Sequence, residues 1–287
     1  MTTLRQLVKM AVPVSRHRHD SHNAALVAKL DALEARVADL TAHVARLEAS
    51  VVYQRTVMPG LGVHNALPSL TPNDADYSLQ ACFAKLEKRA PIAFAHWHRL
   101  LEVNGQAYEG FPIDSCSVAG HPMAERFRAF LRPYLIGNVL DIGCGPQPVP
   151  HYLANYPVDR IAGLDPLAAP HPFVFVQGAS EYLPWADGTF DTVVAATSLD
   201  HVLLPDEVMK EIVRVLRPGG HFVTWVSFVP GAKAYDPYAS DVAPIDAFHL
   251  FHFERQAFES LMNRYFVAGE SYAIDGESSY WSFQVRA

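Results

Sequence analysis

The sequence predicts an α/β protein: a mostly parallel sheet covered by helices on both faces, preceded by a helix that forms a coiled coil. Three observations predict it. From residue 137 onward, short apolar runs alternate with helical patterns, as expected when strands are buried on both sides. One of these runs, Val139-Leu140-Asp141-Ile142, meets Gly143-Cys144-Gly145-Pro146, which reads as a strand that stops in a tight turn. Upstream, leucines and valines recur at heptad spacing within residues 23–54.

Composition narrows the class of protein. The chain has 287 residues, half of them apolar, enough for a sizeable core. Its net charge of −7 argues against a nucleic-acid partner held by phosphate neutralisation. Cys82, Cys116 and Cys144 have no metal-ligand spacing and fit a reducing, cytoplasmic compartment. No apolar run approaches the roughly 18 residues needed to span a bilayer, and Leu7 to Val14, broken by Lys9 and Pro13, makes a poor signal peptide.

Residues 1–22 carry four Lys/Arg, three histidines and one acid, Asp20. They read as a solvated basic tail, with peripheral contact to an acidic membrane face as the sharper alternative. In residues 23–54, Leu30, Val37, Val44 and Val51 fall at a, and Leu26, Leu33, Leu40 and Leu47 at d. Mostly β-branched a positions with leucine at d favour a parallel homodimer, a trimer being the alternative. Lys29 with Glu34 and His43 with Glu48 make attractive g-to-e′ pairs. Residues 55–120 read as a Pro/Gly-rich linker and then a helical lid region. Its helical part spans 78–104, breaks at Pro91, and gives way to a loop over 105–120.

Residues 121–287 form the catalytic domain in this reading, beginning with a short helix over 121–135. Strands are expected at Val139–Ile142, Arg160–Leu164, Phe173–Gln177, Phe190–Ala196, His221–Phe228, Phe266–Ile274 and Tyr280–Arg286. Helices are expected at Val149–Tyr156, Asp206–Leu216 and Glu254–Tyr265. The first of these would aim its N-terminal amides at the glycine turn, suiting an anionic or carboxylate-bearing ligand. Gly143 and Gly145 let the backbone turn and approach that ligand closely.

Twenty residues after Gly145, at the end of the second expected strand, stands Asp165. An acid there can accept hydrogen bonds from both hydroxyls of a ribose, so turn and acid together point to an adenosine-type cofactor. A nicotinamide dinucleotide would want a third glycine for its pyrophosphate. Here Pro148 occupies that position, and Asp141 would repel a diphosphate but favour an ammonium.

The ordered set VLDIGCGP, GLDP, LPWADGTFDTVV, LDHV and EIVRVLRPGG resembles the class I S-adenosylmethionine-dependent methyltransferases over residues 121–287. The resemblance implies a Rossmann-like, seven-stranded sheet whose last strand is antiparallel, and S-adenosylmethionine as cofactor. It implies that Asp141, Gly143, Cys144 and Gly145 shape the methionine end of the site. Asp165 would bind the ribose with Pro166 beside the adenine, and Ala179, Ser180 and Glu181 would edge the adenine. The family often has an aspartate where Ala179 stands, so that contact would pass to a backbone group, Ser180 or Glu181. Thr197 and Leu199, just past the fourth strand, would close over the cofactor.

Methyl transfer from a sulfonium is an in-line displacement, and an oxygen acceptor of high pKa benefits from a base. Asp200, His201 and His249 are the candidates. Asp246, His249 and His252 bring an acid and imidazoles to the same region, with the two histidines on one helical face. One histidine is expected to orient substrate and the other to pack, with no metal. Tyr108 and His121 are weaker candidates from the N-terminal flank. LDHV with the downstream HLFHF segment is similar to methyltransferases of bacterial cell-surface polysaccharide enzymes, which implies O-methylation of a sugar hydroxyl. A natural product or quinone precursor is the alternative acceptor, and a coiled-coil scaffold that binds cofactor without turnover is the alternative of another class.

Overall fold

The computed structural model describes residue 29 and residues 67–286, apart from 111–116, 168 and 275. The basic tail, the coiled-coil helix apart from residue 29, the first part of the linker and Cys116 lie outside the described residues. The chain divides into two compact units, Met1–Val63 and His64–Ala287. The sheet and the helices that cover it belong to the second.

Seven strands form one sheet in the order β3-β2-β1-β4-β5-β7-β6. They are β1 (Val139–Ile142), β2 (Ile161–Asp165), β3 (Val174–Gln177), β4 (Phe190–Ala196), β5 (Leu216–Ser227), β6 (Phe266–Ala273) and β7 (Ser278–Val285). β1, β2, β3, β4 and β5 pair in parallel, and β7 runs antiparallel to both β5 and β6. The expected strands are therefore present, and the last is antiparallel. β5 starts earlier than expected because Leu216 already pairs with Phe190. The register then shifts, and the ladder resumes at His221 opposite Thr192. Gly219, at φ +78°, supplies the left-handed residue in the intervening bulge.

Side-chain alternation along each strand builds two cores. Leu140, Ile142, Ala162, Leu164, Val193 and Ala195 face one layer. That layer contains α1 (Leu79–Arg89), α2 (Pro91–Gly110), α4 (Pro205–Val215) and α5 (Arg255–Tyr265). Val139, Ile161, Val194, Ala196 and Trp225 face the other, against Phe127, Phe130 and Leu131 of α3 (Pro122–Leu131). α2 continues through Gly110, so the loop expected from residue 105 begins later. Asn104 contributes to that continuation, its amide donating to Leu100 O on the same helix.

The helix expected at Val149–Tyr156 does not form. Residues His151–Leu153 and Val158–Arg160 make only single 3-10 turns, each entered through a proline, Pro150 and Pro157. Proline lacks the N–H that would continue a helical ladder. This segment therefore aims no helix N-terminus at the glycine turn, contrary to expectation.

Candidate active site

The site lies at the carboxyl ends of β1, β2 and β4, where an open parallel sheet places its crevice. Gly143 and Gly145 both stand at positive φ, +69° and +68°. A Cβ on Gly143 would come within 2.4 Å of Ser198 Cβ, whereas one on Gly145 would meet open space. Ser198 Oγ in turn donates to Ile142 O, 2.7 Å away, and Gly143 N donates to Leu164 O at 2.7 Å. The turn is thereby clamped between β2 and the segment after β4. Thr197 also takes a left-handed conformation, φ +55°, and its N–H donates to Trp225 O.

Asp165 ends β2 and accepts from Gly145 N at 2.9 Å and Leu167 N at 2.8 Å. Burial nevertheless lifts its pKa to about 6, against the pull of those two amides. Each of its oxygens keeps a second lone pair for a ligand hydroxyl. Asp141 lies fully buried beneath the turn, on the α3 side of β1. Tyr152 Oη donates to its Oδ2 at 2.9 Å, while Oδ1 has no hydrogen-bond partner. Burial raises its pKa to about 7, the Tyr152 hydroxyl opposing and Asp165 adding to the rise.

A crevice holding about 640 Å³ of atom-free space, part of it open to solvent, runs from this turn. Among the residues expected at the cofactor, Gly143, Asp165, Pro166, Ala179, Ser180, Glu181 and Thr197 line it. Asp141, Cys144, Gly145 and Leu199 do not. The Cys144 side chain is buried and turns away, its sulfur 3.9 Å from His171 Nε2 and near Phe173 at the back of β2. Leu199 is packed into the core. Although Glu181 lines the crevice, its Oε1 already braces the chain, accepting from Leu203 N at 2.7 Å and Leu204 N at 2.9 Å.

Trp97, Leu101 and Asn104 of α2 complete the wall, with Ser198 and Val202. The sequence places α2 in a helical lid region but does not single out Trp97, Leu101 or Asn104 as site residues. Trp97 Nε1 donates to His201 O at 2.6 Å, and Asn104 Nδ2 donates to Phe248 O at 3.0 Å. The helix thus fastens both segments that carry the imidazoles. His121 precedes α3 without capping it through its side chain, and it does not line the crevice.

His201 enters the crevice from a 3-10 turn, Leu199–His201, after β4. Its ring lies against that of His249, tilted by 33°, with centroids 4.4 Å apart. Asp200 Oδ1 stands 4.0 Å from His201 Nε2, and Asp200 Oδ2 stands 3.9 Å from His249 Nε2. Behind them, Asp246 Oδ1 lies 3.0 Å from His249 Nδ1, and Asp246 Oδ2 lies 2.8 Å from His252 Nε2. Residues 245–252 are not helical. His249 and His252 come together because Asp246 Oδ1 accepts from the Phe248 and His249 amides, folding the segment back on itself. Burial holds His201 below the ordinary imidazole value, against the pull of Asp200. Asp246 is lowered: burial opposes ionisation, but the Phe248 amide, the His249 ring and the His249 amide outweigh it.

The residues present fit S-adenosylmethionine. The crevice offers a strand-end carboxylate, Asp165, with lone pairs left to accept from hydroxyls, backbone brought close at Gly143, and an apolar wall. Asp141 adds an unpartnered carboxylate oxygen under the turn.

Residues 140–224 match the family described as "Methyltransferase domain". Over 75 residues the chain is 37% identical to the ubiquinone/menaquinone biosynthesis C-methyltransferase UbiE of Pseudomonas aeruginosa, a match covering 25% of this chain and 29% of that protein. Over 122 residues it is 32% identical to methyltransferase GfsG of Streptomyces halstedii, covering 38% and 44%. The chain thus spans less than half the length of either relative. Among solved structures it is similar to the 1,6-didemethyltoxoflavin-N1-methyltransferase of Burkholderia thailandensis, which holds S-adenosylhomocysteine. That likeness has TM-score 0.49 and 15% identity, and covers 76% of this chain and 95% of the other. Residues 140–224, the stretch from β1 into β5, thus match a methyltransferase domain, set in a seven-stranded, mostly parallel sheet whose last strand is antiparallel.

Proposed function

We propose that the protein methylates an oxygen acceptor, a hydroxyl of a sugar-type molecule, using S-adenosylmethionine. One observation carries this reading: the crevice that begins at Gly143 and Asp165 ends at the ring of His201, beside Asp200 and His249. When bound, the cofactor supplies an electrophilic methyl group on a sulfur that leaves as a neutral thioether. Asp165 and the turn hold the nucleoside and the amino-acid end. Trp97, Leu101 and Val202 exclude water from the crevice. The Asp200–His201–His249 group binds the acceptor end, orients the hydroxyl in line, and favours loss of its proton.

The polar character of the acceptor end supports a hydroxyl-rich substrate. The His201 ring lines it, with Asp200 and His249 beside that ring, and the exposed rings of Tyr238 and Phe248 lie on the stretch of chain that leads to His249. A second reading, C-methylation of a quinone-type ring, is favoured by the similarity to UbiE. Calorimetry with S-adenosylhomocysteine tests the cofactor site. An acceptor panel of sugar diols and quinols, read as S-adenosylhomocysteine formed, separates the two substrates. Cofactor binding with no product from either class would favour a scaffold.

The proposal extends to assembly. The heptads of residues 23–54 support a parallel dimer, and the basic tail supports contact with an acidic membrane face. Deleting residues 1–52 is expected to leave a monomer that still binds cofactor. A truncated protein that stays dimeric in light scattering would reject the coiled coil.

A further inference from the structure

We propose that Asp200, His201 and His249 hold a divalent transition-metal cation at the acceptor end of the crevice, and that this cation selects an acceptor with two adjacent oxygens. The inference rests on the methyl-transfer reading of the same crevice and specifies its substrate.

The spacing of the three side chains points to an ion first. Asp200 lies 4.0 Å from His201 Nε2 and 3.9 Å from His249 Nε2, too far for hydrogen bonds. One donor atom from each residue lies within 4.8 Å of one from each of the others. Donors that share one ion at bond lengths of about 2.0–2.3 Å lie roughly 3–4 Å apart, so the two pairs that Asp200 makes stand at the outer edge of that range and close onto an ion by a small inward movement. All three are partly buried, and the His201 ring borders the crevice.

The groups behind them point the same way. His249 Nδ1 lies 3.0 Å from each Asp246 oxygen. An Nδ1–H given to that carboxylate leaves Nε2 unprotonated and facing Asp200, the carboxylate–imidazole arrangement that orients metal-binding histidines. Trp97 fixes the backbone carbonyl of His201 from α2. Asp246, His249 and His252 form a competing cluster. There the contacts are already direct, at 3.0 and 2.8 Å, so those polar groups satisfy one another and leave no gap for an ion.

Two imidazoles and a carboxylate suit zinc, cobalt, iron or manganese better than magnesium or calcium, which prefer oxygen ligands. Three protein donors leave further positions open. Two neighbouring oxygens of a vicinal diol or catechol can occupy a pair of them, which fixes the acceptor more firmly than one hydroxyl would. The cation then acidifies the reacting hydroxyl. Its proton passes to solvent, the oxygen forms the new bond to the methyl carbon, and the sulfur–methyl bond breaks with its electron pair remaining on sulfur.

The test uses full-length, tag-free protein stripped with EDTA and titrated with Co2+, read by ligand-field absorption and calorimetry. One equivalent is expected to bind. His249→Ala and Asp200→Asn are expected to lose at least 100-fold in affinity. Asp246→Asn should lose roughly 10- to 100-fold, and His252→Ala only a few-fold. Circular dichroism and S-adenosylhomocysteine binding of each variant establish that it is folded. A catechol or cis-diol should perturb the cobalt spectrum where a mono-alcohol does not. Absence of stoichiometric Co2+ binding would overturn the proposal, as would a site abolished by His252→Ala but untouched by Asp200→Asn. A spectrum that ignores the diol would overturn the assignment of substrate. S-adenosylhomocysteine binding without cobalt binding would sink the metal and spare the methyl-transfer reading. Cobalt binding without nucleoside binding would do the reverse.

Discussion

The glycine turn and the imidazole cluster occupy the same edge of one sheet but are held by different kinds of contact. The turn is shaped mostly by neighbours on β1 and β2: Gly143 N on Leu164 O, and Gly145 N and Leu167 N on Asp165. The cluster has no such local frame. His201 follows β4, His249 and His252 come from the segment before α5, and Trp97 and Asn104 tie both segments to α2. The turn is therefore a product of strand pairing, while the imidazole cluster is assembled from separate segments that can vary independently. A fold that serves many acceptors with one cofactor needs this division.

Four substitutions and a pH series would break or sharpen that contrast. The largest effect is expected at the assembled end. Trp97→Ala removes a buried indole and its hydrogen bond to His201 O, which should cost about 3–5 kcal/mol of stability. An unchanged urea midpoint would mean that α2 does not clamp the cluster. At the turn, Gly143→Ala places a methyl 2.4 Å from Ser198 Cβ at φ +69°. Overpacking should cost about 1–3 kcal/mol, with the nucleoside affinity falling further. Retained calorimetric affinity would show that the turn is softer than its hydrogen bonds imply. Asp165→Ala should weaken S-adenosylhomocysteine binding by about 1–3 kcal/mol, the scale of lost charge-assisted hydrogen bonds. Equal binding by wild type and variant would move the ribose elsewhere.

The pH series reads the turn alone. Asp141 and Asp165 have folded pKa values raised from 3.8 to about 7 and about 6 by burial. A raised folded pKa contributes stability that is complete below the unfolded value and is lost as pH rises through the folded one. These two carboxylates should therefore cost the free protein stability between about pH 4 and 7. Asp141→Asn cannot ionise, so its advantage over wild type in thermal melts should grow from near zero at pH 4 to its full size by pH 8. An advantage independent of pH would refute the assignment. The smallest effect is expected for His252→Ala, which removes a partly buried ring from Asp246 and should change stability by under about 1 kcal/mol.

Much of this was legible in the residues. β1 and β4 begin and end where their apolar runs do, and Asp165 closes β2 as its distance from the glycines suggested. Helix prediction failed at 149–156, where the apolar pattern was right but Pro150 and Pro157 confine the chain to single turns. The site was legible where it follows strand ends and illegible where it depends on α2. No spacing rule joins Trp97 to His201, so the lid region could be placed in the chain but its contacts could not. Cys144 shows the reverse error: its place in the motif is right, but its side chain turns toward the back of β2, so only its backbone belongs to the turn.

Residue order alone determined the sheet, its glycine turn and the acid opposite it. Strand periodicity, positive-φ glycines and a strand-end carboxylate are local requirements, written within a few positions of where they act. Only the tertiary structure decided which imidazoles and carboxylates meet, because Asp200, His201, Asp246, His249 and His252 are joined by packing across separate segments. A contact of that kind leaves no period in the chain.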